Sequence, residues 1–157
     1  MYINAGRFEE GLQASNMAIE LDANSYPGYR GLGLSLAGLN KYPESIEAFS
    51  TAVQFSSGQL LPLVELCWVY SLSGEITETQ KIMDELLLRS KTKYVSAFFL
   101  CCLAHYSKND EKALGYLEQA FEERDCTLIG LNASPITASM RADPRFQPFL
   151  ERMNFPE

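Results

Sequence analysis

Hydrophobic and small residues recur along this chain with a period of 34 residues. A leucine followed by a small residue appears in each period, in the pairs Leu32-Gly33, Leu66-Cys67 and Leu100-Cys101. Three further series keep the same spacing: a small position (Gly11, Ser45, Thr79, Ala113), a mostly larger one (Ser15, Phe49, Met83, Leu117) and one filled mostly by alanine (Ala18, Ala52, Leu86, Ala120). Unbroken spacing over four copies indicates an internal repeat.

Each repeat is long enough for two helices of about three to four turns and two short turns. In the second helix the small, large and small positions are spaced four and three residues apart, which places them on one helical face. Gly6, Asn40, Gly74 and Lys108 share one turn position, where Gly and Asn tolerate positive φ. Pro43 then falls in the first turn of a helix, where a missing N–H costs nothing. The pattern predicts an array of antiparallel helix pairs.

The chain resembles the tetratricopeptide repeat family. The resemblance is carried by Gly6-Arg7-Phe8-Glu9-Glu10-Gly11-Leu12 through Ala18-Ile19-Glu20-Leu21-Asp22, by Tyr29, Leu32, Gly33 and Leu36 through Ala52, by Leu66-Cys67-x-x-Tyr70, and by Leu100 through Ala120. It implies an all-α fold, a right-handed superhelix of antiparallel helix pairs, over residues 1–125. The expected units are a partial repeat at 1–25 and repeats at 26–59, 60–93 and 94–125. The chain departs from the family at Ala23, Ser57 and Lys91, where Pro is usual, and in the weak third repeat at Thr79, Gln80 and Leu86.

Residues 126–157 are expected to form a C-terminal capping segment, because terminal repeats need a cap with a polar outer side. Ser134-Pro135 and Asp143-Pro144 each have the pattern of a helix N-cap followed by Pro at the first helical position. The second pair predicts a helix over 144–153 with an apolar face of Phe146, Phe149, Leu150 and Met153.

The first repeat contains only the last turn of its first helix, around Tyr2. We therefore expect the chain to be a fragment of a longer protein, or to have this edge covered by a partner; a chain that starts here with the edge exposed is the alternative. Residues 113–125 and 141–153, the latter with an Asp-Pro-Arg-Phe motif at Asp143–Phe146, are similar to the C-terminal ends of bacterial multidomain regulators. This second resemblance implies a regulatory or oligomerisation arm of a larger signalling protein.

The net charge of −7 argues against binding of nucleic acid, which requires a basic surface. No apolar run approaches the roughly 20 residues of a membrane span, so no membrane interaction is expected. The four cysteines lack C-x-x-C spacing, and a single histidine does not complete the four ligands in paired spacings that a zinc site needs. We therefore expect buried free thiols, a reducing cytoplasmic location, and neither metal nor cofactor.

The first helices of successive repeats are predicted to line a concave groove, with exposed residues four positions apart. These are Arg30, Leu34 and Ala37 in the second repeat, Val64, Trp68 and Ser71 in the third, and Phe98, Cys102 and His105 in the fourth. Some family members bind a C-terminal carboxylate with Lys, Asn and Arg at these positions. That set of residues is absent here, since only Arg30 is cationic. The groove is expected to bind a mainly apolar peptide or helix. Packing within the array, cover by the C-terminal segment and a homodimer are the alternatives.

Catalysis is a further hypothesis, based on His105 three or four residues after Cys102 and Cys101. No third orienting group or oxyanion feature is evident, and the repeat already explains Cys101 as a small residue. We therefore predict a protein–protein interaction module and not an enzyme. The regulatory or oligomerisation arm without a ligand peptide of its own remains the alternative.

Overall fold

The computed structural model describes residues 7–153, and this part of the chain is entirely helical with no β-strand. The predicted all-α class is confirmed. Tyr2 and Gly6, on which the incomplete first repeat and the first turn position depend, lie outside the described residues. The α-helices are α1 (Phe8–Leu21), α2 (Tyr26–Gly38), α3 (Tyr42–Phe55), α4 (Leu61–Ser73), α5 (Ile76–Ser90), α6 (Ala97–Tyr106), α7 (Asp110–Glu122), α8 (Ile129–Ala133), α9 (Ala138–Ala142) and α10 (Gln147–Met153). Short 3-10 turns occupy Cys126–Leu128, Pro135–Thr137 and Pro144–Phe146.

The second helices of the predicted repeats begin at a strict interval of 34 residues. Their first residues are Phe8, Tyr42, Ile76 and Asp110. The turn before each described later copy contains a left-handed residue: Asn40 (φ 60°), Gly74 (φ 87°) and Lys108 (φ 60°). This confirms the predicted turn series at its three described positions.

The same turns are closed by equivalent backbone hydrogen bonds. The N–H of Lys41 donates to the carbonyl of Leu36 at 2.9 Å, and the matching bonds are Glu75 to Tyr70 at 2.8 Å and Asn109 to Ala104 at 2.9 Å. Each bond spans six residues, as in a Schellman motif, and satisfies a carbonyl at the end of a helix. The left-handed residue lets the chain reverse within two or three residues.

The periodic small and large positions form the core. The small series Ser45, Thr79 and Ala113 is fully buried, and so are Phe49 and Leu117 of the large series. The alanine series is buried at Ala52, Leu86 and Ala120. Thr79 and Leu86, which mark the weaker third repeat, are therefore as buried as their counterparts.

The chain forms two compact units, divided within α5 between Glu78 and Thr79. In the first unit α1 packs on α2, α2 on α3 and α3 on α4. Helices α2 and α3 approach closely: the Oγ of Ser45 donates to the carbonyl of Gly33 at 2.7 Å, and Gly33 faces the ring of Phe49. A small residue at this position lets the two helices approach closely.

In the second unit α6 packs on α7, and the segment after Arg124 packs against them. The Tyr106 hydroxyl donates to the carbonyl of Ile136 at 2.9 Å, and Arg152 pairs with Glu118 at 2.7 Å. The 3-10 turn at Pro144 begins 34 residues after Asp110, the first residue of α7. The 34-residue spacing of element starts therefore continues beyond the last repeat found in the sequence.

The two predicted N-caps of this segment differ. The carboxylate of Asp143 accepts a hydrogen bond from the N–H of Arg145 at 2.9 Å, as expected of a cap. The side chain of Ser134 makes no capping bond, so that part of the prediction is wrong. Thr137 hydroxyl and Arg141 Nη1 donate to the Ser134 carbonyl instead, at 2.9 Å and 2.8 Å, so side chains from the next turns stabilise this corner.

Substitution of Gly33 by alanine tests the close packing of α2 on α3. A Cβ at Gly33 would lie 2.8 Å from the ring of Phe49, so we expect a loss of about 1–3 kcal/mol in the free energy of unfolding. Gly115→Ala is the matched control: nothing lies within 4 Å of its Cβ, and alanine is favoured over glycine in a helix by roughly 0.5–1 kcal/mol. Urea unfolding followed by circular dichroism measures both, and a neutral Gly33→Ala would contradict the packing.

Candidate protein-binding surface

Five of the nine residues predicted to line the groove have buried side chains. The exposed fractions are 6% for Leu34, 4% for Ala37, 3% for Phe98, 1% for Cys102 and zero for Val64. Helices α4 and α6, which carry three of them, are apolar around most of their circumference, and such helices are buried on several sides. The groove assignment stays a prediction, and its partly exposed side chains are Arg30, Trp68, Ser71 and His105.

Arg30, the cation of the predicted groove, is engaged by Glu65. The Nη2 of Arg30 on α2 donates to Oε1 of Glu65 on α4 at 2.6 Å, and its Nε donates to Oε2 at 2.7 Å. This fork geometry is the strong form of an Arg–carboxylate pair. The charge of Arg30 is therefore offset by Glu65 within the first unit, and its guanidinium is poorly placed to bind the carboxylate of a ligand.

Glu65 is a site residue that the sequence analysis missed. Its side chain is 1% exposed, and burial raises its pKa while the hydrogen bonds and charge of Arg30 oppose that rise. A signal was available, because Glu65 is the only charged residue of the apolar helix α4 and stands 35 residues after Arg30. The pair joins the first helices of two successive repeats.

Trp68 gives the first unit a partly exposed aromatic surface. Leu72, one turn further along α4, is 43% exposed, so the two side chains form an apolar patch on one side of the helix. The hydroxyl of Ser71 donates to the carbonyl of Trp68 at 2.7 Å and is thereby satisfied within the helix. We call Trp68 and Leu72 the α4 patch; Leu72 was not among the predicted residues.

The predicted groove residues of α6 are in contact with the C-terminal segment. A Cβ at Gly130 would lie 3.3 Å from the ring of Phe98, and the ring of His105 meets Phe146 edge-on with centroids 5.5 Å apart. The Nε2 of His105 is 2.9 Å from the hydroxyl of Ser139. These contacts agree with the alternative in which the C-terminal segment covers this surface.

His105 has the orienting carboxylate that the sequence analysis did not find. Its Nδ1 is 2.7 Å from Oδ1 of Asp110, and Oδ2 of Asp110 accepts a hydrogen bond from Arg145 at 2.7 Å. Burial acts to raise the pKa of Asp110, but the hydrogen bonds from His105 and Arg145 outweigh it and lower the pKa.

Ser139, His105 and Asp110 have the connectivity of a hydrolase triad. However, Ser139 and Arg145 belong to the C-terminal segment, whereas His105 and Asp110 belong to α6 and α7. The bonds of Ser139 to His105 and of Arg145 to Asp110 therefore attach that segment to the helix pair. The attachment of the C-terminal segment accounts for this arrangement, and no bound substrate is needed to explain it.

The cysteines near His105 are unsuited to nucleophilic chemistry. Cys101 and Cys102 are buried free thiols, and burial raises the pKa of Cys102 to about 12. Cys67 is similarly buried, with its pKa raised to about 12. Because the thiolate is the reactive form, these thiols are inert at neutral pH. Cys126 is exposed, so the expected burial of the cysteines is wrong for this one.

Two kinds of site are absent from the described part of the chain. Within residues 7–153, no group of three or more His, Cys, Asp or Glu side chains is arranged to hold a metal ion. The same residues include no helix whose length and hydropathy suit a membrane crossing.

Comparisons with protein-family models, with curated proteins and with solved structures find no significant match to this chain. Functional inference thus rests on the residues and their geometry.

Substitution of Arg30 by methionine tests the buried ion pair. Removing one partner leaves the Glu65 carboxylate buried without its counter-charge, so we expect a loss of about 3–5 kcal/mol in the free energy of unfolding at pH 7. Since the pKa of Glu65 is already raised by burial, the loss should shrink as the pH falls and the carboxyl is protonated.

The double variant Arg30→Met, Glu65→Leu is the matched control, because it removes both charges and should recover most of the stability. Chemical unfolding at pH 7 and pH 5 measures all three proteins. Equal losses for the single and double variants, or no dependence of the single variant on pH, would contradict the described pair.

Proposed function

We propose that this chain is a protein-binding module of the tetratricopeptide type, built as a right-handed superhelix of antiparallel helix pairs. The observation that carries the proposal is the 34-residue register of helix starts at Phe8, Tyr42, Ile76 and Asp110, with left-handed turn residues at matching positions. Repeat arrays of this kind present extended surfaces that bind other proteins.

The proposed ligand is a mainly apolar peptide or helix. Arg30 is neutralised by Glu65, which disfavours a ligand held by its carboxylate. The α4 patch offers Trp68 and Leu72, and tryptophan is a residue type that often dominates binding energy at interfaces. The patch is therefore the part of the predicted groove with which we propose that the ligand makes contact.

The chain is proposed to act without catalysis, metal or cofactor, and in the cytoplasm. Protonated buried thiols support a non-catalytic role, and attachment of the C-terminal segment accounts for the bonds of His105 to Asp110 and Ser139. Free, buried cysteines are typical of proteins in a reducing compartment.

A second candidate function is a regulatory or oligomerisation arm of a larger bacterial signalling protein. The Asp-Pro-Arg-Phe motif supports it, because its residues serve attachment of the C-terminal segment. Asp143 caps the turn, Arg145 pairs with Asp110, and Phe146 is fully buried. The motif thus stabilises the end of the array and supplies no effector chemistry of its own.

Selection of binding peptides tests the proposed function at the α4 patch. A displayed random peptide library is panned on the immobilised chain, and apolar sequences should be enriched. Trp68→Ala should weaken the selected peptides by about 2 kcal/mol, roughly thirtyfold in affinity. Since Trp68 is the only tryptophan, its emission should also shift to shorter wavelength when a selected peptide binds.

Leu88→Ala is the matched control, because Leu88 is an exposed leucine (66%) on a different helix. It should leave the affinity unchanged, and circular dichroism should show equal helicity for all proteins. Peptides that bind the Trp68→Ala protein as tightly as the original would contradict binding at the α4 patch, and enrichment of acidic or basic peptides alone would contradict an apolar ligand.

A further inference from the structure

Helix α1 carries an exposed apolar face in the first unit. Met17 is 64% exposed and Leu21, one turn later, is 89% exposed. Ala14 and Ala18 stand beside them at helical spacing, the first exposed and the second half-buried. These four residues are called the α1 face.

The equivalent face of α3 shows what covers such a surface. Thirty-four residues after Ala14 and Ala18, Ala48 is 5% exposed and Ala52 is fully buried. The counterpart of Leu21 is Phe55, whose ring lies 5.7 Å from the ring of Tyr29 on α2. Helix α3 packs against both α2 and α4, whereas α1 has α2 as its principal neighbour among the described helices.

Met17 and Leu21 are apolar at positions where the repeat does not require it, whereas Ala18 belongs to the repeating alanine series. At the position of Met17, the later helices α5 and α7 carry Glu85 and Gln119, and at the position of Leu21 they carry Arg89 and Glu123. These later residues are exposed and polar, as expected for a surface in water. Helix α3 has Thr51 and Phe55 at these positions, and the Phe55 ring is partly covered by Tyr29. The combination of exposed Met17 and Leu21 on α1 therefore indicates a contact there.

The charge around the α1 face identifies the kind of partner. Residues 7–22 contain the acids Glu9, Glu10, Glu20 and Asp22 against the single cation Arg7, which already pairs with Glu10. Two copies of this face would bring like charges together, which disfavours a dimer through α1. A partner with Lys or Arg beside its apolar stripe would be attracted.

We propose that the α1 face docks one amphipathic helix of a partner protein, with an apolar stripe that includes a small residue and with basic flanks. The template is α2, which meets α3 with Tyr29 and, one turn later, Gly33. Helix α2 contains no acidic residue, so a helix of this kind would not repel the acidic α1 face. This surface is separate from the α4 patch and goes beyond the function proposed above.

Two designed helical peptides with identical apolar stripes test the inference. One carries lysine on its flanks and the other glutamate, and fluorescence anisotropy measures their binding to the full chain. The lysine peptide should bind at least about tenfold more tightly than the glutamate peptide because of charge complementarity. The variant Met17→Glu, Leu21→Glu should weaken it by roughly tenfold or more, because both side chains are large apolar contacts.

Two controls separate this result from general effects. Leu88→Glu with Ile129→Glu replaces two similarly exposed apolar residues (66% and 65%) and adds the same charge, and it should reduce binding far less. Trp68→Ala should leave binding of the lysine peptide unchanged, so failure of the α4 patch would not be confused with failure of the α1 face.

Several results would overturn the proposal. These are no binding of the lysine peptide, equal binding of both peptides, or equal binding to the Met17→Glu, Leu21→Glu variant when circular dichroism shows it folded. Sedimentation velocity provides the remaining outcome: a dimer that this same variant dissociates would make a second copy of the chain the occupant, and would also overturn the proposal.

Discussion

Close contact between a large side chain on one helix and a small residue on the helix before it is the constraint on which the rest of the structure depends. Gly33 of α2 lies against the ring of Phe49 of α3, and no larger residue fits there without a shift. In the second unit α6 packs on α7, and Cys101 and Leu117, at the same register positions, are both fully buried. A contact at a fixed position in the helix pair ties helix length to turn length, which is consistent with the 34-residue register.

The repeat, its helix starts and its turns were predictable because each depends on the identity of single residues at a fixed spacing. Small residues mark close approach, and Asn40 and Gly74 mark left-handed turns. Lys108 was found by register alone, since lysine has no preference for positive φ. The side chain of Ser134 does not form the expected capping bond. Thr137 and Arg141 instead donate to the carbonyl of Ser134 and stabilise this turn.

The candidate binding surface was far less predictable, because periodicity tells which way a residue points but not what covers it. Helix α6 is apolar on nearly every side, so outward positions such as Phe98 and Cys102 can still be buried by another segment. Pairing of Arg30 with Glu65, and of His105 with Asp110 and Ser139, depends on three-dimensional proximity between different helices. Arg30 and His105, which were predicted to face a ligand, are instead engaged by other side chains of the same protein.

The central claim is that one register, set by close packing and a left-handed turn, repeats along the chain. Backbone φ values of Asn40 and Lys108 in solution test it most directly, because they are non-glycine residues two repeats (68 positions) apart with φ near 60°. Nuclear magnetic resonance gives these angles from three-bond amide-to-α-proton couplings and intraresidue proton contacts. The account predicts positive φ at both residues, and negative φ at either one would contradict it.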